Sequence, residues 1–278
     1  MKKFLLFPLL CMLTFPLNAQ QLRDPFLWPY DKYSIWNMPI GSDAEYKPAH
    51  FEAASHVGAD IQHIIRSYPV YDDYPVFNSP TWGPGRCTGE TYLGFDLRIP
   101  KNLIIPDAGD HTEWGLTPNS NWALLNMEDT TVLEGTKISR CTVDGPVYLP
   151  DWMKYVNNRK ISDIRGDGVS GGGQGASGMS ALGGTIRLGE LTGEEPIRHT
   201  IKINPWAAKY VHYSEQFPGF QWPAESADNY ATEQYNRDAD TSILMGSLFA
   251  IPPGVSADDL GIQTEPGRKL FDALQHYG

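Results

Sequence analysis

The chain is poor in cysteine, in basic residues and in long apolar runs. Three of its 278 residues are cysteine, and no CxxC pair or Cys/His spacing suggests zinc. Asp238 and Asp240, in NRDAD, lack the fuller ligand pattern of a calcium loop, so no metal is expected. Lysine and arginine number 22 against 33 aspartates and glutamates, a formal net charge of −11. That balance argues against nucleic acid or an anionic membrane as partner. HExxH and GxxxxGK[ST] are absent, and Gly175-Ala176-Ser177-Gly178 is not a GxSxG nucleophile elbow. No cofactor is expected, and there is no internal repeat.

What is present starts with a leader. Lys2 and Lys3 precede an apolar stretch at 4–17, and Asn18-Ala19-Gln20 places a small residue before a cut. The stretch is too short to span a membrane, and Leu10 before Cys11 argues against lipidation. Residues 1–19 are expected to be a signal peptide and 20–278 a single β-rich domain, secreted or periplasmic, with no membrane insertion. Losing the two leader lysines takes the net charge to −13. Cys87 and Cys141 then remain, each preceded by Arg, and an oxidising compartment favours joining them as a disulfide.

Residues 20–48 are rich in aromatics and prolines, which suits an extended arm over a core. Ala53, Ala54, Val57, Ile61, Ile64 and Ile65 share a stripe at helical spacing, predicting a helix over 50–66. Strand-like runs follow at 92–99, 102–105, 122–127, 130–133 and 147–149, separated by Gly, Pro, Asn and Asp. The spacing predicts a mainly β fold, a β-sandwich or barrel-like set of antiparallel sheets with a few peripheral helices. Those helices are expected at 205–213, 242–250 and 265–277, the last with Pro266 in its first turn and Leu270, Ala273 and Leu274 buried.

Seven glycines between Gly166 and Gly178 mark a tight crossing or a ligand-facing loop. After them, 185–191 and 197–203 alternate like a hairpin, whose register is repaired by a one-residue bulge at Gly189. The bulge would put Arg187, Glu190, Arg198 and Lys202 on one polar face and Leu188 with His199 on the core face. That face is either solvated or the floor of a cleft. Read as a cleft, it makes Arg187, Glu190 and His199 catalytic candidates, with Arg198 and Lys202 binding substrate. Asp167 in RGDG and His111 with Asp107 in IIPDAGDH are further candidates, although Asp-supported turns explain both stretches.

The segments SIWNMPIG, IIPDAG, GGGQGASGMSALGGTIRLGEL, PIRHTIKIN, MGSLFAIPP and TEPGRKL resemble a group of secreted bacterial proteins. That group shares a WN-P-IG start, a G-SG-S-LGG-IR-GEL core and an I-HA-K-N strand; Thr200 stands where the pattern usually has Ala. The resemblance implies a homologous fold and export, and a chain that continues past the last helix. Export, aromatic content and the polar face together lead to an expected role as a carbohydrate-active enzyme on extracellular polysaccharide. On a uronate polymer Arg187 would neutralise the carboxylate and His199 or His111 act as base. On a neutral glycan Glu190 and Asp167 would be the carboxylate pair. The rival expectation is a non-catalytic glycan-binding or cell-surface structural protein.

Overall fold

The computed structural model describes residues 24–55, 57–111, 117–154, 160–169 and 172–278. The expected leader and His56 lie outside the described residues, as does the side chain of His111. The described residues form seven strands: β1 (His63–Ser67), β2 (Asp73–Asn78), β3 (Tyr92–Arg98), β4 (Trp122–Asn126), β5 (Thr131–Gly135), β6 (Val147–Leu149) and β7 (Lys160–Asp163). They form two sheets, ordered β1-β4-β5-β7 and β3-β2-β6. The mainly β expectation holds, but the sheets are mixed: β1 runs parallel to β4, and β2 parallel to β6. The chain leaves the first sheet after β1, builds the β2–β3 pair of the second, and only then returns as β4 beside β1. Such a crossover brings strands together in the same direction. No closed barrel forms among the described residues.

β4 organises the interior. All of Trp122-Ala123-Leu124-Leu125 is buried, so alternation sends side chains into two different cores. Trp122 and Leu124 join Ile65, Tyr74, Val76, Leu97, Val147 and Leu149, a core shared by the two sheets. Ala123 and Leu125 join Val132, Tyr30, Trp36, Ile164, Ala181 and Leu182 on the opposite side. The first sheet therefore lies between the second sheet and a layer of irregular chain made from the aromatic arm and the glycine-rich segment. The arm packs as the sequence predicts: Tyr30 and Trp36 are about 5% exposed. The glycine-rich segment is its complement. A Cβ on Gly183 would sit 2.6 Å from the Trp36 ring, and one on Gly173 2.6 Å from the Gly135 amide. These glycines serve close packing of backbone and aromatic rings.

Three helical expectations change. Residues 50–66 form no helix: 57–62 run without regular structure, Val57 and Ile61 are 91% and 53% exposed, and His63–Ser67 is β1. Pairing with β4 gives Ile64 and Ile65 opposite cores, which a helix stripe would not, and tertiary packing overrides local periodicity. The expected 205–213 helix shrinks to α1 (Ala207–Tyr210), and 242–250 is irregular. A second short helix, α2 (Ala231–Gln234), packs Ala231 with Val211 and Tyr235 in a small third core. α3 (Glu265–His276) is where the sequence places it, with Thr264 Oγ1 accepting from the Gly267 amide. Of its expected buried residues Ala273 is fully buried and Leu270 and Leu274 are half-buried. No helix among the described residues is long and apolar enough to cross a membrane.

Cys87 and Cys141 are joined, with Cα atoms 6.3 Å apart. The preceding arginines are both fully buried. Arg86 donates to Trp82 O, Pro118 O and Ser120 Oγ; Arg140 donates to the carbonyls of Pro100, Lys101, Leu103 and Gly145. Each Arg-Cys pair thus ties loops together twice, by guanidinium and by sulfur.

Candidate functional site

The expected hairpin does not form. Residues 185–203 carry no strand, and Leu188 is fully exposed instead of facing His199. Gly189, at φ +94°, sits in consecutive turns closed by Glu190 N–H to Arg187 O and Gly193 N–H to Gly189 O. The reason is Arg187. Its guanidinium is buried and donates to the carbonyls of Phe26, Thr185 and Leu182, an arrangement that turns the chain inward where a strand would run straight. Burial pulls this group down to about 10, against the nearby Glu190 charge. Arg187 is a structural cation, and the role of substrate-carboxylate neutraliser is withdrawn from it.

Lys202 is likewise turned inward, donating to Ser180 O and Ala181 O, and burial pulls its ammonium down to about 7. Its partner in charge is Glu134 of β5, 1% exposed. Alternation along β5 aims Glu134, like Val132, at the irregular layer. Its Oε2 accepts the amides of Gly173 and Ala181 at 2.9 and 2.8 Å. Its Oε1 meets Tyr30 Oη and Ser180 Oγ, which also contact each other at 2.7 Å. Burial pushes the carboxyl up, opposed by these hydrogen bonds and by Lys202. Glu134 thereby fastens arm, glycine segment and sheet at one point.

Glu190 and His199 do come together. His199 is 3% exposed; its Nε2 lies 3.3 Å from both Glu190 oxygens and its Nδ1 2.8 Å from Thr200 O. Burial pushes the Glu190 carboxyl up, but His199, the Arg187 amide and the neighbouring charges outweigh it and hold the group below its ordinary value. Lys269 of α3 donates to the carbonyls of Glu190, Gly193 and Glu195 and closes this loop. A carboxylate depressed on folding stabilises fully above its unfolded value, about 4.3, and that stabilisation is lost as pH falls through the folded value. Glu190→Gln is therefore expected to flatten the acid limb of stability. Urea midpoints at about pH 6 and about pH 3 should converge between wild type and variant on the acid side; parallel curves would show that the pair contributes nothing.

The remaining candidates are dispersed. Asp167 is exposed, and its carboxylate caps Val169 N–H. Asp107 accepts from the amides of Gly85 and Arg86 and braces the Cys87 turn. Arg198 is exposed near Glu195 at 3.7 Å. His111 is in the short helix Ala108–His111, its side chain outside the described residues. These residues do not assemble a site.

Two of the surface clefts among the described residues have charged linings. One, of about 240 Å³, is bordered by Asp73, Asp96, Arg98 and Glu128, but Arg98 is already paired with Asp73 and Glu128 at 3.2 and 3.1 Å. The other, of about 300 Å³, has His50, Glu52, Lys209, Tyr210, Asn236 and Asp240 in its lining, with Ile243. α1 supplies Lys209 and Tyr210 from consecutive positions. Phe51 stacks edge-on with Tyr210 at 4.8 Å and fixes the opposite wall. Asn236 donates to Lys209 O and accepts from Asp238 N–H, so it braces α1. Glu52 pairs with Lys209 at 2.6 Å, and its amide donates to Tyr210 Oη at 3.2 Å. Hydrogen bonding to Glu52, with the Tyr210 phenol adding to it, holds the Lys209 ammonium above its ordinary value. Titratable groups of opposite character meeting in one concavity are what an acid–base site requires.

Comparison with family models, with curated proteins and with solved structures gives no match. The cleft therefore stands on its own chemistry. Sequence reasoning missed it for a clear reason: its walls are about 160 residues apart in the chain, and His50 falls in the stretch read as a helix. No spacing within either segment carries the signal.

Proposed function

We propose that this protein is an exported carbohydrate-active enzyme that cleaves extracellular polysaccharide on a β-sandwich scaffold, working at the cleft between the 49–52 segment and α1. The observation that carries this is that His50, Glu52, Lys209, Tyr210 and Asp240 line one open concavity, with Glu52 joined to Lys209 and to Tyr210 across it. Breaking a glycosidic bond needs a proton acceptor and a proton donor at a single linkage. Trp206, at the N-cap of the helix that carries Lys209 and Tyr210 and 75% exposed, offers a flat apolar face suited to a pyranose ring. The disulfide and the excess of acidic residues suit an extracellular setting.

The test is depolymerisation of a polysaccharide panel read as new reducing ends. The wild-type protein is expected to degrade at least one polymer, and His50→Ala and Tyr210→Phe to lower turnover about 100-fold or more with unfolding midpoints unchanged. Turnover unaffected by both substitutions would remove the cleft from the site. A non-catalytic glycan-binding role draws support from Tyr33 and Trp222, 70% and 68% exposed; it predicts binding without product.

A further inference from the structure

Resting on the polysaccharide-cleaving role proposed for the cleft, we infer that its substrate is a polyuronate and that the bond is broken by β-elimination, with Lys209 holding the uronate carboxylate, His50 taking the ring proton and Tyr210 protonating the departing oxygen. The ion pair inside the cleft points to the ligand chemistry. The Glu52 carboxylate sits 2.6 Å from Lys209 Nζ although its side chain is 73% exposed. A pair so open to water is weakly held. Glu52 thus marks the position that a substrate carboxylate takes when it displaces this side chain.

The other two groups border the same cleft. Tyr210 Oη accepts the Glu52 amide at 3.2 Å, which leaves the phenol proton to be given to a neighbouring oxygen. The Lys209 ammonium lies 5.2 Å from the Tyr210 ring, so carboxylate anchor and phenol share one locality. His50 lines the same cleft two residues before Glu52, and its ring has no hydrogen-bond partner among the described residues. Its backbone is in the left-handed region at φ 53°, an uncommon conformation for a residue other than glycine. The cleft is less suited to hydrolysis, which requires a carboxyl kept protonated. Asp240 is held as an anion, below its ordinary value, by the Ser242 amide and hydroxyl.

The step balances without a further reactant. His50 removes the proton α to the carboxylate, at C5; that electron pair becomes the C4–C5 double bond. The C4–O bond breaks, and the glycosidic oxygen takes the Tyr210 proton. Products are a new reducing end and a 4,5-unsaturated uronate, and the proton on His50 returns to the phenolate through water.

The experiment incubates the purified protein with polygalacturonate, alginate, hyaluronate and a neutral β-glucan, reading reducing ends and the ultraviolet absorbance of the unsaturated uronate together. Expected is one unsaturated end per new reducing end on at least one polyuronate, and none on the glucan. Lys209→Gln should raise KM about tenfold or more with a smaller change in kcat, Tyr210→Phe should lower kcat about 100-fold, and Glu52→Gln should lower KM by freeing the ammonium. Reducing ends without unsaturated product overturn the elimination and leave polysaccharide cleavage standing. Binding without product, or neither binding nor product on any of these polymers, overturns the inference; the first outcome favours the glycan-binding role, and the second extends the loss to the proposed function. Unsaturated product with KM unchanged in both Lys209→Gln and Glu52→Gln overturns the assignment of the carboxylate subsite.

Discussion

Glu134→Ala is expected to lower the unfolding free energy by about 3–5 kcal/mol, because several buried donors lose their acceptor at about 1–3 kcal/mol each and the site relaxes only in part. The side chain is 1% exposed and receives the amides of Gly173 and Ala181 and the hydroxyls of Tyr30 and Ser180. Removing it strands those donors and leaves the Lys202 ammonium without its counter-charge. Each buried donor left unsatisfied costs about 1–3 kcal/mol, so the total is bounded by how far the site relaxes. Against a total stability of about 5–15 kcal/mol, a loss of this size leaves the fold marginal. Urea denaturation of Glu134→Ala and Glu134→Gln separates the contributions. Gln keeps the shape and one acceptor, so it should lose less. A double-mutant cycle with Lys202→Met measures the coupling, expected at 0.5–3 kcal/mol or about that range. A loss below about 1 kcal/mol for Glu134→Ala would show that the three layers do not depend on this point.

Opening the Cys87–Cys141 bond is expected to cost about 4 kcal/mol. The cysteines are 54 residues apart in sequence, and a loop of that length sits between the 15- and 100-residue cases of the chain-entropy relation, roughly 3 and 4.7 kcal/mol. The enclosed segment contains β3, β4 and β5, so the unfolded ensemble released by reduction is a large one. Cys87→Ser/Cys141→Ser should shift the urea midpoint down by the same amount as reductant does on the wild type. Arg86 and Arg140 should hold the local loops in both forms, because their carbonyl partners do not involve sulfur. A reduced protein as stable as the oxidised one would place the disulfide outside the stability of the domain.

These two expectations differ in how they were reached. The disulfide was legible from composition: the two cysteines outside the expected leader have one intramolecular pairing to make. The strands at 122–126 and 147–149 were legible because short apolar runs bounded by Gly, Pro, Asn and Asp are enough to mark them. α3 was legible from Pro266 in its first turn and from the spacing of Leu270, Ala273 and Leu274, which are local signals. Glu134 carried no such mark. Its neighbours in TVLEG describe a strand with one charged residue, and the groups that satisfy it come from residues 30, 173, 180 and 181.

The sequence by itself determined the strands at Tyr92–Arg98, Trp122–Asn126, Thr131–Gly135 and Val147–Leu149, that Tyr30 and Trp36 of the arm cover a core, and that one disulfide closes the middle of the chain, whereas it marked none of β1, β2 and β7 as a strand. Tertiary structure alone decided the fate of the charged residues. Arg187 and Lys202 alternate with apolar neighbours as surface residues do, yet both turn inward, because carbonyls of Phe26, Leu182, Ser180 and Ala181 lie within hydrogen-bonding reach only once arm and glycine segment have packed on β5. The cleft follows the same logic: His50 and Glu52 meet Lys209 and Tyr210 because the irregular chain before β1 lies along α1. Periodicity reports only on neighbours a few residues away, whereas the destination of a charge depends on acceptors that folding brings from elsewhere in the chain.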